Sequence, residues 1–151
     1  MLRQAFADRL KEAMKARDVR TISTVRLISA GLKDRDIAAR TQGNTEGLSE
    51  TEILRLLQAM VKQRRESITL YEQGSRPDLA QKEREEITVI ESFLPHQLDA
   101  GEIEAAASAA IAETGAGSVK DVGKVMTMLR ERHAGVIDLG EAGAIVRRLL
   151  G

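Results

Sequence analysis

Apolar residues recur every three or four positions along almost the whole chain, the period that places them on one face of an α-helix. Leu2, Phe6, Leu10 and Met14 form the first stripe and predict a helix from about Leu2 to Ala16. After a break near Asp18, Ile22, Val25, Ile28 and Leu32 form a second, which fades by Arg40. Gly43, Asn44 and Gly47 mark residues 42–48 as a loop. Ser49 stands three residues before Glu52, the spacing of a reciprocal helix cap, and opens a third helix to about Gln73. Gly74-Ser75-Arg76-Pro77 reads as a turn, with proline tolerated at the start of a fourth helix that runs over Asp78–Phe93.

Pro95 is the best boundary in the chain, because the residue before a proline is pushed out of helical geometry. Beyond it Asp99 with Glu102, Ser118 with Asp121, and Asp138 with Glu141 each mark a helix start. These helices end near Gly115, near His133-Ala134-Gly135 and at the C-terminus. No stretch alternates as a strand does. The expectation is an all-α fold, with a four-helix part over residues 1–95 and a compact three-helix part over residues 96–151. Two stripes carry an interruption. In the third helix Arg64 falls among Ile53, Leu57, Met60, Ile68 and Tyr71; in the fourth, Glu83 and Glu86 fall among Leu79, Ile90 and Phe93. A tight turn makes these helices antiparallel neighbours, so Arg64 is predicted to pair with Glu83 or Glu86.

Composition sharpens this picture. Aromatic residues are only 2% of the chain, so the core must be aliphatic and rich in alanine, which favours helix over strand. The absence of cysteine removes disulfides, thiol catalysis and thiolate metal sites. The longest apolar stretch, around Ala105–Ala112, is too short to span a bilayer, and the N-terminus lacks the apolar core of a signal peptide. A cytoplasmic protein is expected. Net charge is zero, which disfavours a nonspecific polyanion binder, yet residues 1–40 carry ten basic against five acidic side chains. Any polyanion site must be a local patch.

Catalytic chemistry is sparse. Gly117 and Gly123-Lys124 are spaced one residue too far apart for a phosphate loop, Val125 replaces the required hydroxyl, and no strand precedes them. His96 and His133 lie in different segments with no ligand spacing around them, so no metal and no cofactor is expected. The carboxylates of the fourth helix read as a solvated or salt-bridged face. No catalytic residue is assigned.

Residues 118–126, Ser-Val-Lys-Asp-Val-Gly-Lys-Val-Met, present Lys120 and Lys124 on one face of a helix start and Val122, Val125, Met126 and Leu129 on the other. Gly123 lies inside the first turns of that helix, where it is about 1 kcal/mol worse than alanine, and so suggests close approach by a neighbouring helix or a ligand. Further cations that suit RNA phosphates are Arg55, Lys62 and Arg65 on the third helix and Arg147 and Arg148 on the last. Without stacking aromatics, an RNA target would be recognised by shape and backbone.

The whole pattern resembles the YqeY-like family. The residues that carry the likeness are Val61-Lys62-Gln63-Arg64-Arg65-Glu66-Ser67 with Tyr71, Asp78-Leu79-Ala80 with Glu83 and Glu86-Ile87, Phe93-Leu94-Pro95, and Val119–Met126. The resemblance implies an all-α fold akin to the tail of the B subunit of the tRNA-dependent amidotransferase, a tail also appended to some glutaminyl-tRNA synthetases. It further implies a non-catalytic module that helps hold tRNA near its elbow, with tRNA or a synthetase or amidotransferase component as partner. Glutamine-dependent carbon–nitrogen ligase activity would be a label inherited by resemblance, because it belongs to subunits with ATP and amidase sites. Where the family typically reads Gly-Arg-x-Asp-Gly-Lys, this chain has Gly135-Val136-Ile137-Asp138-Leu139-Gly140, without the two cations. That departure, with the zero net charge, supports a rival reading as a protein-interaction adaptor that does not touch RNA.

Overall fold

The computed structural model describes residues 1–151 and contains seven α-helices and no strand. The chain divides into two compact units, Met1–Pro95 and His96–Gly151.

The first unit holds α1 (Leu2–Ala16), α2 (Val19–Thr41), α3 (Glu50–Gln73) and α4 (Pro77–Glu91). Arg17, in left-handed geometry, ends α1, and Asp18 then caps α2 by accepting the Thr21 N–H and hydroxyl at 3.2 and 2.7 Å. Ser49 and Glu52 form a complete capping box at the start of α3, so two otherwise unpaired donors are satisfied reciprocally. The helices bury an aliphatic core around Val25, Ile28, Ile53, Leu57, Val61 and Ile90. Phe6 and Phe93 close it from opposite ends of the sequence, with ring centroids 4.9 Å apart in an edge-to-face pair. The first stripe differs from expectation at one position: Met14 is 52% exposed and Ala13 is buried instead. A small side chain lets α1 lie close to α2, where a methionine would hold it away.

Between α3 and α4 the interrupted stripes meet. Arg64 Nε donates to Glu86 Oε2 at 2.8 Å and lies 4.0 Å from Glu83, while Arg64 Nη1 donates to the Met60 carbonyl at 3.2 Å. The side chains of Arg64 and Glu86 are 11% and 5% exposed, so the charges are largely withdrawn from water. A second clamp ties down the loop before α3. Arg3 makes a fork to both oxygens of Asp36 at 2.8 and 2.9 Å, and Asp36 also accepts the Leu48 N–H. Hydrogen bonds from Arg3 first, then from Leu48, lower the Asp36 pKa to about 2.

The second unit packs α5 (Ala100–Thr114), α6 (Val122–Arg132) and α7 (Leu139–Leu150) around Ile103, Ala107, Val125, Leu129, Ala142 and Val146. Asp99 and Glu102 form a full capping box on α5, and Gly115 ends that helix at φ +69°. Gly135 takes φ +80°, which a side chain would oppose, and its carbonyl accepts from Gln97 Nε2 while Val136 O accepts from Leu98 N. The 135–140 segment thus anchors the approach to α5, and Asp138 caps α7 by accepting the Glu141 N–H at 3.0 Å. No helix in the chain is long and apolar enough to cross a membrane.

Candidate nucleic-acid interface

The start of α6 is built differently from the simple cap its spacing suggests. A single 3-10 turn, Val119–Asp121, precedes the α-helix. Ser118 Oγ accepts from the Lys120 N–H at 3.3 Å, two residues on, and the Asp121 carboxylate reaches back to the Gly117 N–H at 3.0 Å. The N–H groups of this turn are thus occupied in part by the protein's own oxygens. Asp121 is held below its ordinary pKa, first by the Gly117 hydrogen bond and further by the charge of Lys124.

Two lysines stand at this turn in different states. Lys124 Nζ is 3.6 Å from Asp121 Oδ1, so much of its charge is answered locally. Lys120 is exposed and makes no ion pair. Gly123 corrects the expectation of a close neighbour: a Cβ added there would meet nothing within 4 Å. No helix crosses at this point, because the buried face of α6 carries Val125 and Leu129 and Gly123 lies on the other side. The glycine leaves a bare stretch of backbone open beside Lys120, Lys124 and Thr127.

The remaining candidates are scattered. Arg148 is drawn to Glu104 on α5 at 3.2 Å, and Arg65 to Glu91 on α4 at 3.5 Å. Arg147 lies back over Gly143, with Nη1 3.4 Å from where a Cβ would stand, so Gly143 makes room for it. Val119 touches the last residue beyond α7, which brings the end of that helix beside the 3-10 turn. Arg55 and Lys62 are exposed on α3, in the first unit, and make no ion pair. Arg64, Glu83 and Glu86 form the ion-paired cluster between α3 and α4, and Arg64 also lines a groove of about 350 Å³ with Gly31, Leu56 and Met60. Arg130 was not anticipated: it is exposed on α6 seven residues after Gly123, hence on the same side. Extending the helical period by two turns from Gly123 would have found it. His96 Nε2 rests 3.0 Å from Glu102 at the start of α5, which accounts for that histidine by local pairing.

Fold and surface together define a small two-unit helical protein whose polar features are caps, ion pairs and exposed cations. The chain belongs to the YqeY family: the family model described as "Yqey-like protein" matches residues 3–150, essentially the whole length. Over 85 residues it is 34% identical to a protein of Lachancea thermotolerans described as "Altered inheritance of mitochondria protein 41, mitochondrial", a match that covers 56% of this chain and 43% of that protein. A protein of the same description from Vanderwaltozyma polyspora is 32% identical over 85 residues, covering 56% and 44%. An uncharacterized protein of Schizosaccharomyces pombe is 26% identical over 94 residues, covering 62% and 72%. The matched stretch spans less than half the length of the two mitochondrial relatives.

Proposed function

We propose that this chain is a non-catalytic accessory module that binds tRNA through its second unit, with Lys120 as the principal phosphate contact. The observation that carries the reading is the open backbone at Gly123 flanked by an exposed, unpaired Lys120. A phosphate oxygen can approach such a strip closely, and a cation beside it gains by releasing counterions from the RNA. Lys124 and Arg130 on the same helix extend the contact. Membership of the YqeY family, with its likeness to an amidotransferase tail, supports tRNA as the RNA concerned. The module acts in the cytoplasm on this reading; the description of the two yeast relatives as mitochondrial makes organelle fractionation the check on location.

Backbone contacts position without reading sequence, so different tRNA species should bind alike. The test is tRNA affinity of wild type and of Lys120→Ala/Lys124→Ala across a salt series, with folding followed by circular dichroism. Each lost phosphate contact should reduce the logarithmic salt slope by about 0.9. Equal affinity and slope in the folded variant would remove the site.

One observation favours the adaptor reading as a second choice. Lys124 and Arg148 already have carboxylate partners, and residues 136–140 carry no cation. Pull-down from native lysate, with bound RNA sequenced and bound protein identified together, separates the two. Recovery of a synthetase or amidotransferase component without tRNA would favour the adaptor.

A further inference from the structure

Residues 1–40 carry ten basic against five acidic side chains, an excess that a site on the second unit leaves unexplained. They form α1 and α2, which run antiparallel from the break at Arg17 and Asp18, and the Arg3–Asp36 fork marks the line along which the two helices meet. On α2 the buried Val25, Ile28 and Leu32 lie to one hand of Asp36. Val19, Arg26, Lys33 and Arg40 lie to the other, at steps of seven residues that return each to nearly the same angle, with Ile37 four residues beyond Lys33. On α1 the buried Phe6 and the half-buried Leu10 lie to one hand of Arg3, and Ala7, Lys11 and Met14 lie to the other. Both buried sides belong to one core, so both exposed sides belong to one outward face of the α1–α2 pair. Counting from the Arg3–Asp36 contact sets Lys11 and Met14 beside Arg26.

Lys11, Arg26, Lys33 and Arg40 are exposed and make no ion pair, whereas Arg3 and Arg20 on the same helices do. The carboxylates of these helices are directed elsewhere. Asp36 is bound by Arg3 and Leu48, Asp18 caps α2, and Asp34 lines the groove on the opposite flank of α2. Glu12 stands nine residues after Arg3, half a turn round the helix and so away from α2. Asp8, at the border of the face, accepts from Gln4 Nε2 at 2.8 Å. Three large apolar side chains are interleaved with the cations: Val19, Met14 and Ile37 are 76%, 52% and 50% exposed.

We infer that this face docks on an anionic lipid bilayer, with the α1–α2 pair lying flat and Val19, Met14 and Ile37 entering the headgroup layer. From Val19 to Arg40 the stripe on α2 runs about 32 Å at 1.5 Å per residue. A fluid leaflet brings an anionic headgroup under each cation along that length and takes up the apolar side chains between them. An RNA backbone would answer the cations but gives Val19, Met14 and Ile37 nothing to bury against. An acidic protein would have to repeat the same alternation of charge and apolar surface. No helix here is long and apolar enough to cross a membrane, so the attachment is to the surface alone. It needs neither Lys120 nor any other residue of the second unit.

The experiment is vesicle flotation of the full chain over a salt series, with vesicles of phosphatidylcholine alone and of phosphatidylcholine mixed with phosphatidylglycerol. Wild type is compared with Arg26→Gln/Lys33→Gln/Arg40→Gln, with Met14→Gln/Val19→Gln/Ile37→Gln and with Lys120→Ala/Lys124→Ala. Glutamine keeps helix propensity at exposed positions, and circular dichroism checks each fold. Wild type should float with the anionic vesicles and not with phosphatidylcholine, and salt should release it. Each cation near an anionic leaflet contributes roughly fivefold, so the first variant should bind on the order of 100-fold more weakly. The second should lose about tenfold or more and keep its salt dependence, because its charges are intact. The Lys120→Ala/Lys124→Ala variant should float like wild type. Wild type that stays with neither vesicle, or binds both alike, overturns the inference. So does an unchanged first variant, which would move the lipid contact to another surface. A loss confined to the first variant, with the apolar variant unchanged, reduces the face to a bare polyanion patch and also overturns it. The tRNA affinity of the same proteins tests the earlier reading separately.

Discussion

Replacing Arg64 with methionine removes the one cation between two withdrawn carboxylates. Glu86, 5% exposed, would lose its partner at 2.8 Å, and the Glu83 carboxylate would lose the same cation. Breaking a buried pair from one side typically costs about 3–5 kcal/mol, and two carboxylates left without their cation put Arg64→Met at the upper end of that range. Glu86→Gln should cost less, toward about 3 kcal/mol, because Arg64 retains Glu83 nearby and its bond to the Met60 carbonyl. The double variant Arg64→Met/Glu86→Leu leaves only Glu83, which is the more exposed carboxylate and can turn to water. It should recover most of the loss, since apolar replacement of a buried pair is often neutral or stabilising by about 1–4 kcal/mol. Urea unfolding of wild type, Arg64→Met, Glu86→Leu and their double variant closes a double-mutant cycle, with the slope of the transition watched for loss of two-state behaviour between the units. If Arg64→Met lies within about 1 kcal/mol of wild type, the charges are solvated and the argument fails.

The Arg3–Asp36 clamp should make stability depend on pH in the acid range. Because the folded pKa of Asp36 is lowered from 3.8 to about 2, its contribution is fully present above pH 4 and is lost as pH falls through 2. The shift corresponds to about 2 kcal/mol as an upper bound, reduced by the exposure of Arg3, and the gap between wild type and Asp36→Asn in urea should shrink from pH 6 to pH 2. Ser49→Ala should lose about 1 kcal/mol by thermal or urea unfolding, while Ser49→Gly loses only a few tenths. Gly123→Ala should stabilise by roughly 0.5–1 kcal/mol, because nothing stands where the methyl would go. If RNA approaches that strip, the same variant should bind tRNA more weakly, and unchanged affinity would count against the contact. Gly135→Ala should destabilise by about 1–2 kcal/mol on the strength of its left-handed backbone, checked by the same unfolding assay.

What was legible in the sequence was local. Ser49 with Glu52 and Asp99 with Glu102 mark helix starts because the capping groups lie within one turn of each other, so no tertiary information is required. The Arg64 pairing was legible because a charge in an apolar stripe must find an opposite charge in the stripe it faces. Ser118 with Asp121 has the same spacing, yet a 3-10 turn intervenes and the oxygens choose other donors; spacing alone does not fix which residue starts the α-helix. Met14 against Ala13 was decided by how closely two helices approach. The availability of cations was least legible of all. Arg65 and Arg148 look like their neighbours in sequence, and only the rotation of each helix shows that Glu91 and Glu104 engage them.

The edge-to-face pair of Phe6 and Phe93 also bears on the order of events during synthesis. One ring belongs to the first helix and the other follows α4, so the hydrophobic interior of the first unit is sealed by residues 87 positions apart in a 151-residue chain. While the ribosome is still making α3, the emerging α1 and α2 can pack only against each other, and Phe6 has no ring to meet. Arg9, which stacks 5.8 Å over the Phe93 ring, waits for the same residue. At about 5–20 residues per second this leaves Phe6 uncovered for several seconds of translation, a window in which a nascent-chain holdase has an aromatic side chain to bind.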